Sequence, residues 1–160
     1  MSRTPGKTRT LNVYEIPAGG PVGAQHAAPF RTGACYLLDL PGYGYAKAGK
    51  TERAGFAQLL RHILDRGRLA GVVWLLDVRR DPSDDDRAMQ DRLAAHGTRV
   101  LAAITKRDKL PGGQGLRREQ AIRAALGLEP EQLVATSART GEGVAELQEA
   151  IGALVRAGGA

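Results

Sequence analysis

The sequence has little cysteine, little histidine and no long apolar run. Cys35 is the single cysteine among 160 residues, so no internal disulfide can form, which suits a reducing cytoplasm. Because Cys35 lies in an apolar strand pattern, we expect a buried core thiol rather than a nucleophile. The three histidines, His26, His62 and His96, share no metal-ligand spacing, and we expect them at or near the surface.

No stretch approaches the roughly 20 consecutive apolar residues that span a membrane. The first ten residues, MSRTPGKTRT, lack the apolar centre of a signal peptide. We therefore expect a cytoplasmic protein that does not contact a membrane.

Basic side chains outnumber acidic ones, 23 to 17, giving a formal net charge of +6. This charge fits a polyanionic partner such as RNA, and it fits a generally basic proteome equally well. The length and the 42% hydrophobic content indicate one globular domain, residues 1–160, which we expect to be monomeric.

Apolar runs and helical periodicities alternate along the chain. The predicted strands are 11–16, 35–40, 71–78, 99–105 and 133–137, and the predicted helices are 51–66, 83–97, 116–126 and a last one around 144–155. We expect strands 35–40 and 71–78 to be buried, the latter as a central strand, because they are apolar on both faces. The alternation predicts a three-layer α/β fold with a mostly parallel sheet.

Three short polar motifs follow three of the predicted strands. They are DLPG (Asp39, Leu40, Pro41, Gly42), TKRD (Thr105, Lys106, Arg107, Asp108) and TSA (Thr136, Ser137, Ala138). In open parallel sheets, ligands bind at the carboxyl ends of the strands, where these motifs are predicted to lie. Each motif alone is weak, but the three in this order indicate a guanine nucleotide site.

The side chain of Asp108 can distinguish guanine from adenine. Its carboxylate can accept hydrogen bonds from both the ring N–H and the exocyclic amine of guanine, a pair that adenine does not offer. The backbone N–H of Ala138 would meet the guanine carbonyl oxygen. We expect Lys106 to lie along the base and ribose and Thr105 to brace the loop.

Five segments together resemble the EngB (YihA/YsxC) family of bacterial GTPases. They are SRTPGKTRTLN (2–12), DLPGYGYAK (39–47), LLDVRRDPSDDD (75–86), TKRDKL (105–110) and ATSARTGEGV (135–144), and the resemblance runs from residue 2 to about 155. It implies a Ras-like P-loop GTPase fold, with helices on both faces of the sheet, that binds GTP or GDP with Mg²⁺. It also implies a role in assembly of the large ribosomal subunit, with the subunit precursor or its rRNA as partner, and in cell division and septation.

The segment 44–51, GYAKAGKT, matches the phosphate-loop pattern G-x-x-x-x-G-K-[ST]. A phosphate loop begins where its strand ends, whereas DLPGY precedes this segment, and the later candidate for a DxxG motif, Asp77–Arg80, lacks the glycine. In the resembled family the corresponding segment is the mobile loop after DxxG. We therefore interpret the longer segment GYGYAKAGKT, residues 42–51, as a switch loop.

The resemblance implies that the phosphate loop of the family precedes the arm in which Met1 lies. The first strand, the phosphate loop and the first helix would then be missing, and a misplaced start of the coding sequence is our favoured explanation over a genuine truncation. We expect a chain of this kind to bind GDP and GTP weakly, to hydrolyse neither, and to be poorly soluble or molten.

The resemblance also assigns roles to individual residues. The first switch corresponds to Gly6, Lys7, Thr8, Arg9 and Thr10. Thr8 would coordinate Mg²⁺, Asp39 would reach the ion through water, and Gly42 would donate its N–H to the terminal phosphate. Tyr43 stands where Ras-type enzymes place a water-orienting glutamine, which predicts slow hydrolysis without a partner.

Asp77 and the acidic run Asp84–Asp86 are not interpreted as catalytic. Asp77 ends a predicted strand, and the acidic run favours a helix N-terminus. Two other functions stay open: an ATPase that uses Gly44–Thr51 as phosphate loop and Asp77 as the end of a Walker-B-like strand, or a fragment that binds RNA or nothing and has no nucleotide site.

Overall fold

The computed structural model describes residues 11–16, 35–43, 50–65 and 69–158. The predicted first switch, Gly6–Thr10, the tip 44–49 of the predicted switch loop, and His26 lie outside the described residues. The chain forms two compact units, Met1–Gly67 and Arg68–Ala160.

The first unit contains a hairpin and a helix. Strands β1 (Asn12–Ile16) and β2 (Cys35–Asp39) pair antiparallel, with Asn12 opposite Asp39 and Ile16 opposite Cys35. Helix α1 (Lys50–Leu64) follows, and its Leu60 and Ile63 are buried.

The prediction of a buried strand at 35–40 is wrong for the described residues. Tyr36 and Leu37 of β2 are 64% and 45% exposed, and Cys35 is only partly buried, so the predicted core thiol is wrong as well. Among the described strands β2 pairs only with β1, and a two-stranded ribbon cannot cover both of its own faces. The burial that Cys35 does have raises the pKa of its thiol.

The second unit is built around a parallel three-stranded sheet. Its strands are β3 (Val72–Asp77), β4 (Val100–Thr105) and β5 (Leu133–Ala135), in the order β3-β4-β5. Strand β4 lies in the middle, and its residues 101–104 are all at most 5% exposed. Strand β3 has only one neighbour among the described strands and exposes 65% of Leu75. Among the described strands, the predicted central position therefore belongs to β4 rather than to β3.

Three helices alternate with these strands, as predicted for an α/β fold. They are α2 (Asp84–Ala95), α3 (Gly115–Leu126) and α4 (Val144–Gly158). Ser83 and Asp86 form the predicted capping box: the Ser83 hydroxyl accepts from the Asp86 N–H, and the Asp86 carboxylate accepts from the Ser83 N–H. Leu93 of α2 and Ile122 of α3 are each 1% exposed, which places them in the core of this unit.

The described histidines, His62 and His96, lie at the surface, as expected. In the described parts of the chain, no helix combines the length and the apolar character that crossing a membrane requires.

Candidate guanine-nucleotide site

The TKRD and TSA motifs lie side by side at the carboxyl ends of β4 and β5. The register pairs Ile104 with Ala135, so both motifs begin at the same level of the sheet. The Thr136 N–H donates to the Ile104 carbonyl oxygen at 2.6 Å, and the Arg107 N–H donates to the Thr136 carbonyl oxygen at 3.1 Å. The sheet therefore joins the two predicted base-binding loops into one structure.

The carboxylate of Asp108 is held from two sides. The Ser137 hydroxyl donates to one oxygen at 2.7 Å, and Arg139 Nε donates to the other at 2.7 Å. Only 5% of the Asp108 side chain is exposed. The hydrogen bond from Ser137, together with Arg139 and the nearby Lys109, holds the pKa of Asp108 below its usual value, so the group is ionised and able to accept hydrogen bonds.

Ser137 is fully buried and organises the loop around Asp108. Its hydroxyl accepts from the Thr140 N–H at 3.2 Å, and its own N–H donates to the Glu142 carbonyl oxygen at 2.9 Å. Thr136 is also buried, with its hydroxyl on the Ile104 carbonyl oxygen at 3.2 Å. Ala138 is exposed, which suits the predicted contact of its backbone with a base.

Gly143 closes this loop before α4. Its φ is +68°, and a Cβ at this position would lie 2.0 Å from the carbonyl oxygen of Ala135. Only glycine fits there, because the left-handed backbone disfavours a side chain and the carbonyl leaves no room for one. The TGEG turn (140–143) is therefore packed directly onto the end of β5.

Lys106 and Thr105 are both tied to β3. The Thr105 hydroxyl donates to the Leu76 carbonyl oxygen at 3.0 Å, and Lys106 Nζ donates to Asp77 Oδ2 at 2.8 Å. Lys106 has φ 64° and ψ 32°, the left-handed conformation. Thr105 thus ties the start of the TKRD loop to β3. Lys106, two residues before Asp108, has its ammonium at the end of β3.

Arg107 contacts neighbouring acidic side chains. Its guanidinium forms ion pairs with Glu119 of α3 and with Glu142, the latter at 2.9 Å. The same guanidinium lies against Gly115, where a Cβ would be 3.0 Å from an Arg107 nitrogen. Arg107 thus links the TKRD loop to the start of α3 and to the TGEG turn.

The DLPG motif belongs to the first unit. Asp39 ends β2 and is exposed, and its carboxylate accepts a hydrogen bond from Asn12 Nδ2 at 3.4 Å. Leu40 and Pro41 are half-buried and Gly42 is exposed. Tyr43 stacks at a tilt against Phe56 of α1, with 6.2 Å between the ring centroids.

Two contacts of the site were missed by the sequence analysis. Asp77, predicted only to end a strand, holds the ammonium of Lys106. This contact depends on the register that pairs Asp77 with Thr105, which the sequence pattern does not give. Arg139 follows the TSA motif directly, yet nothing in the sequence pattern indicates that it reaches Asp108. Among the described residues no cluster of three metal-binding side chains exists.

Two comparisons with known proteins find GTP-binding proteins, and a third finds no match. No protein-family model matches the chain. The probable GTP-binding protein EngB of Gemmatimonas aurantiaca is 40% identical over 152 residues, 94% of this chain and 67% of that protein. Its counterpart in Syntrophomonas wolfei is 37% identical over 155 residues, 96% of this chain and 72% of that protein. The chain thus spans about two thirds to three quarters of the length of these relatives.

Solved structures support the fold. The crystal structure of a probable GTP-binding protein engB matches with a TM-score of 0.66 at 16% identity, covering 76% of each chain. The FeoB G-domain of Methanococcus jannaschii matches with a TM-score of 0.54 at 21% identity, over 79% of this chain and 76% of that one. The fold is therefore the α/β fold of the Ras-like GTPases, and the sequence relationship shows that the chain belongs to the EngB family.

Proposed function

We propose that this chain binds GTP and GDP and reads the guanine base with Asp108. The observation that carries the proposal is the carboxylate of Asp108, ionised, 5% exposed and fixed by Ser137 at the carboxyl end of the sheet. Ser137 fixes the orientation of this carboxylate, which can accept the two N–H groups of guanine once the exposed Arg139 leaves Oδ2. Its neighbours Lys106 and Ala138 belong to the same pair of loops, which supports roles beside the base and at its carbonyl oxygen.

The proposed nucleotide would bind together with Mg²⁺. The hydroxyl of Thr8 and the carboxylate of Asp39 are hard oxygen donors, the ligand type that Mg²⁺ prefers, and the exposed position of Asp39 leaves its carboxylate accessible. A bound Mg²⁺ would neutralise charge on the phosphates during phosphoryl transfer. Gly42 lies next to open space, so its backbone can approach a phosphate closely.

We propose that any GTP hydrolysis by the chain itself is slow. The phenol of Tyr43 stands where a water-orienting amide would be needed, and its ring is engaged with Phe56. Positioning of the attacking water is a large part of catalysis in this reaction class. A partner that supplies a positioning group would therefore be needed for fast turnover.

The cellular role that we infer is assembly of the large ribosomal subunit in the cytoplasm, with consequences for cell division. The net charge of +6 supports an RNA-containing partner, because basic surfaces attract the phosphate backbone. Such binding should weaken steeply with salt, and a monomer would suffice for it.

The nucleotide specificity of Asp108 provides the test of this proposal. Asp108→Asn replaces one acceptor by an amide donor that opposes the guanine amine, whereas xanthine presents a carbonyl oxygen there. We expect at least tenfold weaker binding of GDP and a gain of XDP binding, because a mismatched hydrogen-bonding site discriminates strongly. Titrations followed by NMR up to millimolar nucleotide would measure this even for weak binding.

The controls separate the alternatives. Asp91→Asn, on the exposed side of α2, should leave GDP and XDP binding unchanged. Equal binding of ADP and GDP by the unmodified chain would favour the ATPase hypothesis with Gly44–Thr51 as phosphate loop. An RNA shift without any response to GDP would favour a fragment that has no nucleotide site.

A further inference from the structure

Asp77, at the end of β3, holds the lysine of the neighbouring TKRD loop. We propose that Asp77 is a positioning residue of the guanine site, which acts by fixing the side chain of Lys106. This inference rests on the proposed function and adds to it a residue outside the three motifs.

The parallel register brings the two residues together. Asp77 pairs with Thr105 across β3 and β4. The pairing continues one residue beyond β3, where the Val78 N–H donates to the Thr105 carbonyl oxygen at 3.1 Å. The Thr105 hydroxyl adds a second link to β3 through the Leu76 carbonyl oxygen at 3.0 Å. The backbone on either side of the Asp77–Lys106 contact is therefore fixed by the sheet.

The side chain of Lys106 contacts Asp77 through its ammonium group. Its backbone is left-handed, with φ 64° and ψ 32°, and Nζ lies 2.8 Å from Asp77 Oδ2. The Lys106 side chain is 53% exposed, whereas that of Asp77 is 15% exposed. A half-exposed lysine side chain samples many rotamers when nothing holds it. The contact between Nζ and the largely buried Asp77 carboxylate therefore orders the aliphatic part of the Lys106 side chain.

Arg79 fixes the orientation of the Asp77 carboxylate. Its Nε and its backbone N–H both donate to Asp77 Oδ1, at 2.9 and 3.0 Å, and a terminal guanidinium nitrogen donates to Oδ2 at 2.7 Å. This bidentate contact fixes the plane of the carboxylate. Oδ2 is thereby oriented towards Lys106, and the Asp77 carboxylate accepts hydrogen bonds from both Arg79 and Lys106.

The contact prepares Lys106 for a base. The next residue but one, Asp108, carries the carboxylate that is proposed to read guanine. With Nζ held at the end of β3, the aliphatic stem of Lys106 is ordered before a nucleotide arrives. Ordering a side chain in advance removes that entropy cost from binding.

A double-mutant cycle tests the proposal. Asp77→Asn should weaken GDP binding roughly fivefold, the upper range for a half-exposed ion pair, as measured by NMR titration up to millimolar GDP. In a Lys106→Met background, the same substitution should have no effect on GDP binding, because the group that it positions is gone. Asp91→Asn provides a charge-matched control on α2 and should bind like the unmodified chain.

A second readout covers the case in which Lys106→Met binds too weakly to measure. Reductive methylation with ¹³C-formaldehyde labels the lysine ammonium groups, and the Lys106 signal is assigned by its loss in Lys106→Met. Addition of GDP should shift this signal in the unmodified chain, and Asp77→Asn should change its position and reduce that shift.

Four results would overturn the inference. GDP binding unchanged in Asp77→Asn would do so while leaving the proposed function intact. The same fivefold loss in the Lys106→Met background, or a Lys106 signal indifferent to Asp77→Asn, would assign Asp77 a merely structural role. Absence of any GDP response in the unmodified chain up to millimolar concentration would remove the proposed function, and this inference with it.

Discussion

At the residue scale, Arg139 occupies an oxygen of Asp108 that a guanine base would need. Its Nε lies 2.7 Å from Asp108 Oδ2, while its side chain is 68% exposed. Because the arginine is mostly exposed to solvent, its contact with Asp108 contributes modest energy. A base can therefore displace the arginine, but the displacement still opposes binding.

We expect Arg139→Ala to tighten GDP binding about two- to fivefold, the range of an ion pair with a solvent-exposed partner. The measurement is the same NMR titration, with Arg117→Ala on the exposed side of α3 as a control that removes an equal charge. Weaker GDP binding in Arg139→Ala than in the control would mean that the arginine contacts the nucleotide instead of competing with it.

Asp77 also links the site to the pH dependence of stability. Hydrogen bonds from Arg79 and from Lys106 hold the pKa of Asp77 well below its usual value. Since the folded pKa is depressed, the contribution of Asp77 to stability is complete above the unfolded pKa of about 3.9 and is lost as the pH falls towards the folded pKa.

We therefore expect the chain to lose stability more steeply below about pH 4 than Asp77→Asn does. The measurement is the thermal midpoint of each protein between about pH 2.5 and 6, a window that spans the ordinary aspartate pKa. The midpoints of the unmodified chain and of Asp77→Asn should converge as the pH falls. Parallel curves over this range would contradict the assignment.

At the scale of elements, the turn before α4 depends on Gly143. Gly143→Ala would place a methyl group against the Ala135 carbonyl oxygen and impose a positive φ on a residue with a side chain. We expect a loss of about 2 kcal/mol or more in the free energy of unfolding, measured by urea denaturation. Gly112→Ala, whose Cβ would meet nothing within 4 Å, should change stability by no more than about 0.5 kcal/mol. Equal effects of both variants would show that the turn can relax.

The elements themselves were predictable because their signals are local. Ser83 and Asp86 cap α2 through contacts three residues apart, and the strand that ends at Asp77 is marked by its own apolar run. The exposure of Tyr36 and Leu37 was not predictable, because burial depends on which elements cover β2. Likewise, TKRD and TSA were recognisable from short patterns, whereas the Asp77–Lys106 contact required the register of two strands.

At the scale of the whole molecule, large apolar side chains are exposed on both sheets. They include Val13, Tyr14, Tyr36 and Leu37 on the hairpin and Leu75 on β3. Exposed strands with apolar side chains promote association between chains. These exposures agree with the expectation of a poorly soluble or molten chain, which stays a prediction.

Leu75→Lys should raise the soluble fraction of the chain. Among the described strands β3 pairs only with β4, and a charged residue on a strand with an open edge opposes pairing with another chain. The 61%-exposed Leu116 of α3 provides the control, and Leu116→Lys should have a smaller effect. The measurements are sedimentation after expression and binding of a hydrophobic dye. An unmodified chain that stays in the supernatant and binds no dye would contradict the prediction.

The left-handed backbone of Lys106 sets thermostability against nucleotide binding at this position. It is the one residue other than glycine with a positive φ in the described segments, and that conformation costs roughly 1–2 kcal/mol for a residue with a side chain. Laboratory selection for thermostability alone should therefore favour glycine at this position, while selection for retained nucleotide should restore lysine. A library varied at position 106 can be screened once for thermostability and once for nucleotide retention. Enrichment of glycine in the first screen and of lysine in the second would show that stability and ligand retention compete at this position.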